Sequence, residues 1–184
     1  MKIYLIRHGA TKEGKSRLYC GSSDVPLCDD SIKPFLRDVD VLISSPMRRC
    51  LETAKIMFPG KKIRISPDLG EMDFGRFELH SYEELRDDKD YISWITDKTG
   101  DVLCPGGESK NSFTKRVLDA FIREIDSLGQ LGSAAFLLHG GVIGVIMESF
   151  CEVKKPYYEW KPPYAGGFET VLLDNMVLSF QGCL

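Results

Sequence analysis

Short, solid apolar runs alternate along the chain with longer stretches of helical period. Residues 2–6 and 134–138 are compact apolar runs, as strands buried on both faces require, and 39–44 and 63–65 read as two further strands. Ser45-Pro46 suits an N-cap followed by proline at the first helical position. Beyond it, Met47, Cys50, Leu51, Ala54 and Phe58 fall on one helical stripe. The clearest helix is predicted over 108–128, with Phe113, Val117, Ala120, Phe121, Ile125 and Leu128 in line. Gly129 stands just past its end, where a glycine closes a helix well. A further helix is expected over 142–150, and 169–173 with 176–180, joined around Asp174-Asn175, predict a closing hairpin.

Two regions lack a strong period. Residues 7–30 read as a polar, glycine-bearing loop, and 67–107 as an irregular stretch with weak helical patches at 81–86 and 90–96. Strands alternating with helices predict an α/β layered fold around a mainly parallel sheet. The 184 residues suit one domain over 1–184, with no internal repeat and no linker to divide it.

Composition changes this picture little: 43% hydrophobic and 28% charged residues are ordinary for a globular chain. The net charge of -3 argues against a general nucleic-acid partner. Any bound anion must therefore be gripped by a local cluster of cations. The six cysteines are scattered without a CxxC pair, and with only three histidines they predict reduced thiols rather than a metal site. The apolar run at 3–6 is too short for a signal-peptide core or a membrane span. A soluble, cytoplasmic protein without a membrane partner is expected.

The candidate chemistry lies at strand ends. His8-Gly9 follows the first strand and His139-Gly140-Gly141 follows the strand at 134–138. Ligands of open α/β sheets sit beyond the carboxyl ends of the strands, so the two imidazoles share a crevice if those strands are neighbours. A single histidine in such a place more often just bonds a loop carbonyl. Two at matching positions shift the balance. Arg7 adjoins His8, and Arg48-Arg49 occupy the first turn of a helix, where cations oppose the dipole unless an anion is present. A solvated arginine pair is the plain alternative to bidentate phosphate binding. Glu71, among apolar neighbours in the irregular stretch, is a candidate general acid, although loop glutamates are usually solvated.

Residues 9–16 also match the P-loop pattern GxxxxGK[ST], with Asp174 available as an acidic strand end for magnesium. A P-loop runs directly into a helix. Here Lys15-Ser16 leads into a stretch containing Gly21 and Pro26 with no helical period, so the match is read as accidental.

Taken in order, the chain resembles the histidine phosphatase superfamily, the group that includes the phosphoglycerate mutases. The resemblance rests on Arg7-His8-Gly9 with Thr11, Ser44-Ser45-Pro46-Met47 with Arg49 and Thr53-Ala54, and Leu69, Glu71 and Gly75. It continues through Pro105-Gly106-Gly107-Glu108-Ser109 and His139-Gly140-Gly141-Val142. It implies a three-layer α/β/α fold and phosphomonoester hydrolysis without metal or other cofactor. His8 would be the nucleophile that becomes a phosphohistidine, its other ring nitrogen held by a backbone carbonyl. Arg7, Arg49 and His139 would surround the phosphoryl oxygens, and Glu71 would serve as acid and then base. Cys20, Gly21 and Gly140 join the expected substrate-binding residues; Arg48 falls at a variable position and receives no role.

The segment 18–27 and the short length resemble the α-ribazole phosphatases, which implies α-ribazole 5′-phosphate as a small-molecule substrate. Phosphoglycerate mutase activity, a broad-specificity phosphatase and a catalytically inactive phosphate-binding module are the alternatives. Oligomeric state is open. Three departures from the family pattern stand out. Gly14 replaces a usual asparagine, removing one phosphate donor. A usual helix opening is replaced by Cys28-Asp29-Asp30-Ser31-Ile32-Lys33-Pro34, where proline would interrupt a helix. Leu79 stands where glycine usually follows Phe77-Glu78.

Overall fold

The computed structural model describes residues 1–28 and 31–184. Its strands are β1 (Lys2–Arg7), β2 (Val41–Ser44), β3 (Ile63–Ile65), β4 (Ser133–Leu138), β5 (Gly167–Leu172) and β6 (Leu178–Cys183). They form one sheet in the order β3-β2-β4-β1-β5-β6. The pairs β2·β3, β2·β4 and β1·β4 are parallel, and β5 runs antiparallel to both of its neighbours. The helices are α1 (Lys12–Lys15), α2 (Arg48–Met57), α3 (Tyr82–Leu85), α4 (Lys89–Thr96), α5 (Lys110–Leu128) and α6 (Gly140–Phe150).

Strand alternation explains the solid apolar runs. Ile3, Leu5, Ile43, Ala134, Phe136 and Leu138 point to one face, where they pack with the stripe of α5 and with α6. Tyr4, Ile6, Leu42, Ala135 and Leu137 point to the other, against Cys50, Ala54 and Met57 of α2. With both faces covered, neither set can be polar. The result is the three-layer α/β/α arrangement with a mainly parallel sheet.

Most departures from the sequence reading are at element ends. Helix α2 begins at Arg48 rather than at Pro46; the Ser45 hydroxyl lies 2.7 Å from His139 Nε2 and accepts the Met47 N–H only at a long 3.4 Å. The Asp24 carboxylate accepts the Arg48 N–H at 2.6 Å instead, a cap supplied by a distant loop. The buried face of α2 is correspondingly Arg49, Cys50, Thr53, Ala54 and Met57, with Leu51 only half-buried. Helix α5 starts at Lys110, capped by the Ser109 side chain, and α6 starts at Gly140, two residues before expectation. Strand β6 begins at Leu178 rather than 176, since Asn175 and Met176 turn the chain with φ of +59° and +61°. The irregular stretch builds α3 and α4 on the weak patches, capped by Ser81 and Asp88. Within 7–30, Thr11 caps the single turn α1. Asp29 and Asp30 lie outside the described residues; from Ser31 to Asp40 no helix forms, in keeping with Pro34. Among the described residues, no helix is long and apolar enough to cross a membrane.

Candidate active site

Strand register brings the two histidines together. β1 and β4 are adjacent and parallel, with Arg7 opposite Leu138, so the next residue on each strand is a histidine. The His8 N–H donates to the Leu138 carbonyl at 3.0 Å, closing that end of the ladder. The ring centroids of His8 and His139 are 5.2 Å apart. β2 ends one strand further on, with Ser44 opposite Leu137, which places Ser45 beside His139.

His8 Nδ1 lies 2.7 Å from the Gly9 carbonyl, so that nitrogen carries the proton and Nε2 keeps its lone pair. Burial, then the positive charges of Arg49 and Arg7, push the His8 pKa down to about 3 even though the Gly9 bond opposes this. The ring is neutral at physiological pH. His139 is fully buried and also held well below the ordinary imidazole range, first by burial and then by Arg49. Its Nδ1 accepts from Arg49 Nε at 3.3 Å, which leaves Nε2–H to donate to the Ser45 hydroxyl at 2.7 Å.

A cleft of about 120 Å³ opens beside His8, lined by Arg7, Arg49, Glu71, Cys20 and Gly140 among others. Arg7 Nη1 donates to the Pro162 carbonyl at 2.9 Å, while its buried Nε has no partner. A buried donor without an acceptor is costly, and an anion in the cleft would relieve it. Arg49 is almost wholly buried at 1% exposure, yet much of its guanidinium is already engaged. It donates to the carbonyls of Ser23 at 2.7 Å and Gly21 at 2.8 Å, with Cys20 at 3.4 Å, besides its bond to His139. Arg49 thus ties the 20–23 loop to the histidine pair as well as lining the cleft.

Glu71 faces the cleft from the opposite side. Its carboxylate accepts the Gly141 N–H at 2.9 Å, from the first turn of α6, and its own neighbour Met72 N–H at 3.1 Å. A Cβ at Gly141 would stand 2.3 Å from Glu71 Oε1, so any side chain there would displace the carboxylate.

Of the expected site residues, Arg7, His8, Cys20, Arg49, Glu71 and Gly140 line the cleft. His139 and Gly21 stand behind it. His139 is turned toward Ser45 and Arg49, and Gly21 serves through its backbone, its N–H donating to Glu78 and its carbonyl accepting from Arg49. Arg48 is exposed and pairs with Glu52 at 2.6 Å. The P-loop match fails geometrically, because Lys15-Ser16 ends the turn of α1 instead of opening a helix.

The sequence reading missed three supporting groups. Glu78 accepts the N–H groups of Gly21, Ser22 and Ser23, holding the loop that Arg49 also grips. Arg116 donates to the carbonyls of Asp68, Gly70 and Glu71 and pairs with Glu108 at 2.7 Å. A cation at the margin of the α5 apolar stripe, three residues from Phe113, was the available signal for it. Tyr164 stacks on Arg7, its ring centroid 3.9 Å from the guanidinium carbon. Nothing in Pro162-Pro163-Tyr164 announced that contact.

Residues 3–163 match the histidine phosphatase superfamily (branch 1). The chain belongs to this family. Adenosylcobalamin/α-ribazole phosphatase from Salmonella typhimurium is 30% identical over 159 residues, covering 80% of this chain and 78% of that protein. Among solved structures, the α-ribazole phosphatase from Shigella flexneri superposes with a TM-score of 0.86 at 21% identity, over 98% of this chain and 95% of that one. A phosphoglycerate mutase from Thermus thermophilus superposes with a TM-score of 0.74 at 24% identity, over 100% and 98% of the two chains. At those identities the superpositions speak for the fold alone. As a histidine phosphatase, the protein carries its paired histidines where the sheet presents them, at the ends of β1 and β4.

Beside the cleft lies a larger pocket of about 460 Å³, sharing Glu71, Gly141 and Lys161 with it. Its walls include Tyr19, Phe74, Trp94, Phe113 and Tyr157, and Lys110 and Glu148 add charge. The aromatic walls come from separate segments: Tyr19 from the loop after α1, Phe74 from the irregular stretch, Trp94 from α4, Phe113 from α5 and Tyr157 from the chain beyond α6.

Proposed function

We propose that the protein hydrolyses a small phosphomonoester through a phosphohistidine on His8, with α-ribazole 5′-phosphate as its substrate. The observation that carries the reaction is the His8 ring: neutral, anchored through Nδ1, and set in a cleft beside an arginine Nε that lacks an acceptor.

In the first step the Nε2 lone pair attacks phosphorus in line, and the ester P–O bond breaks. Glu71, as general acid, gives a proton to the departing oxygen. Arg7 and Arg49 balance the charge on the phosphoryl oxygens, a task positioned cations perform without a metal. His139 acts from behind, orienting Arg49. In the second step water attacks phosphorus while the Glu71 carboxylate takes its proton. The P–N bond then breaks, its electron pair returns to Nε2, and inorganic phosphate departs.

The leaving group is read from the neighbouring pocket. Five aromatic rings around 460 Å³ suit a planar, apolar group joined to the phosphate by a sugar. The name of the Salmonella relative points the same way. A small polyanion such as 3-phosphoglycerate would leave those rings unused.

Phosphate release is measured over α-ribazole 5′-phosphate, 3-phosphoglycerate, sugar phosphates and nucleotides, with chelator present. Fastest turnover on the ribazole ester, lost in His8→Ala, is the expected result. Undiminished turnover by His8→Ala would overturn the mechanism. A preference for 3-phosphoglycerate with dependence on a bisphosphorylated primer would replace the substrate with the mutase reading. Phosphate binding without turnover on any ester would mean a binding module.

A further inference from the structure

Tyr164 belongs to the turn between Trp160 and β5, and that turn is pinned over the end of β1. The Arg7 N–H donates to the Gly166 carbonyl at 2.8 Å, and the Ala165 N–H donates to the His8 carbonyl at 3.2 Å. The phenol therefore has a fixed base. The guanidinium carbon of Arg7 sits over its ring, 3.9 Å from the centroid, and that centroid is 5.8 Å from the centroid of His8. Stacking restrains the guanidinium plane, and the Nη1 bond to Pro162 sets its rotation within that plane. The unpartnered Nε is thereby fixed in direction.

The hydroxyl reaches across to Gly14. A Cβ at that position would stand 2.3 Å from Tyr164 Oη and 3.1 Å from Thr11 Oγ1. Glycine at 14 is what leaves room for the phenol, and Tyr164, Thr11 and Gly14 all line the 120 Å³ cleft. Among the described residues the hydroxyl has no hydrogen-bond partner, so its proton is free for a ligand.

We propose that Tyr164 is a phosphate-binding residue, donating its hydroxyl to an oxygen of the group held at His8 while its ring sets the direction of Arg7 Nε. The inference rests on the phosphatase reading above. It also accounts for Gly14: the donor missing from that position is supplied from the other side of the cleft, in the space its side chain would fill.

Two variants separate the parts. Tyr164→Phe keeps the ring and removes the donor. Gly14→Ala keeps the phenol intact and displaces its hydroxyl. Binding of inorganic phosphate is measured by calorimetry for wild type and both variants, alongside KM, kcat and thermal midpoint. A hydrogen bond to a charged acceptor corresponds to roughly 10- to 100-fold in affinity, so both variants are expected to weaken phosphate and raise KM by that order, with unchanged midpoints. A lowered midpoint with unaltered phosphate affinity would make the residue merely structural and overturn the proposal. Wild type that binds and Tyr164→Phe that binds equally well would overturn this inference alone. Wild type that binds no phosphate and hydrolyses no ester would overturn the phosphatase reading together with it.

Discussion

The rings of His8 and His139 meet edge to face, their planes 63° apart and their centroids separated by 5.2 Å. Each is the first residue beyond its strand, and the Arg7–Leu138 register makes that proximity unavoidable. Two charged imidazoles could not share such a buried space with two arginines. The neutral state of both rings is therefore built into the sheet, and it leaves His8 Nε2 with a free lone pair, as the proposed mechanism requires.

That neutrality has a cost in acid. The unfolded chain binds a proton at His8 below the ordinary value of 6.5, whereas the folded chain resists until about pH 3. Between those limits the unfolded state holds more protons, so stability is lost as pH falls and the loss levels off below about 3. One such group gives a slope of at most about 1.4 kcal/mol per pH unit. His8→Gln should be flatter than wild type by up to this amount in denaturant titrations at intermediate acidity. Parallel pH curves for the two proteins would contradict the assigned neutral state.

Ser45 secures the other ring. With Arg49 donating to Nδ1 of His139, the remaining N–H has the Ser45 hydroxyl as its partner at 2.7 Å; the Cys50 sulfur, 3.5 Å away, is a poor substitute. Ser45→Ala leaves a donor unsatisfied in a site of zero exposure. It is expected to cost about 1–3 kcal/mol in unfolding free energy. A lower kcat should accompany it, because the ring that orients Arg49 is released. Unchanged stability and kcat would show that the hydroxyl is dispensable.

How much of this was legible depended on range. The strands at β1 and β4 and the stripe of α5 announce themselves through local period, and the histidines follow directly from the strand ends. Helix α2 starts two residues later than Ser45-Pro46 predicts, because its first N–H is taken by Asp24, a carboxylate far back in the chain. Glu78 was silent for the same reason: its partners at 21–23 are loop amides without any side-chain signature. The aromatic pocket gathers Tyr19, Trp94 and Tyr157 from three separate segments, so no window of sequence contains it. Local physics writes local structure into the sequence; a loop held by a distant carboxylate leaves no comparable trace.

Leu79 is a departure with a measurable consequence. Its φ is +61°, a left-handed conformation that a residue with a Cβ adopts at a penalty of roughly 1–2 kcal/mol. The side chain gives little in return, being 45% exposed. Its N–H is well used, donating to the Tyr19 carbonyl at 2.7 Å, so the backbone is held in place. Leu79→Gly relieves the strain but gives the unfolded chain more freedom, which offsets about 0.5–1 kcal/mol. A net gain of about 0.5–1 kcal/mol in chemical denaturation is expected. A loss would mean that the leucine side chain contributes more than its exposure suggests.

Arg116 gives the sharpest test of how Glu71 is held. Its guanidinium spans the carbonyls of Asp68, Gly70 and Glu71 at 2.7, 3.0 and 3.1 Å, and its other edge meets both oxygens of Glu108. Glu108 in turn accepts the Asp73 N–H at 3.0 Å, so the segment bearing Glu71 is clamped on both sides. The arginine itself does not line the cleft. It is a positioning residue, and lysine cannot replace a planar fork that reaches three carbonyls and a carboxylate. Arg116→Lys should therefore lower kcat by roughly tenfold while leaving KM nearly unchanged, since the proposed phosphate contacts of Arg7 and Arg49 are untouched. Arg116→Met, which also strands the Glu108 carboxylate, should add a stability loss of about 1–3 kcal/mol. Rapid-quench kinetics would then show slower formation and slower hydrolysis of the proposed phosphoenzyme, because the proposed mechanism uses Glu71 in both steps. If only the melting temperature fell while kcat per folded molecule held, the clamp would matter to the fold and not to the placement of Glu71.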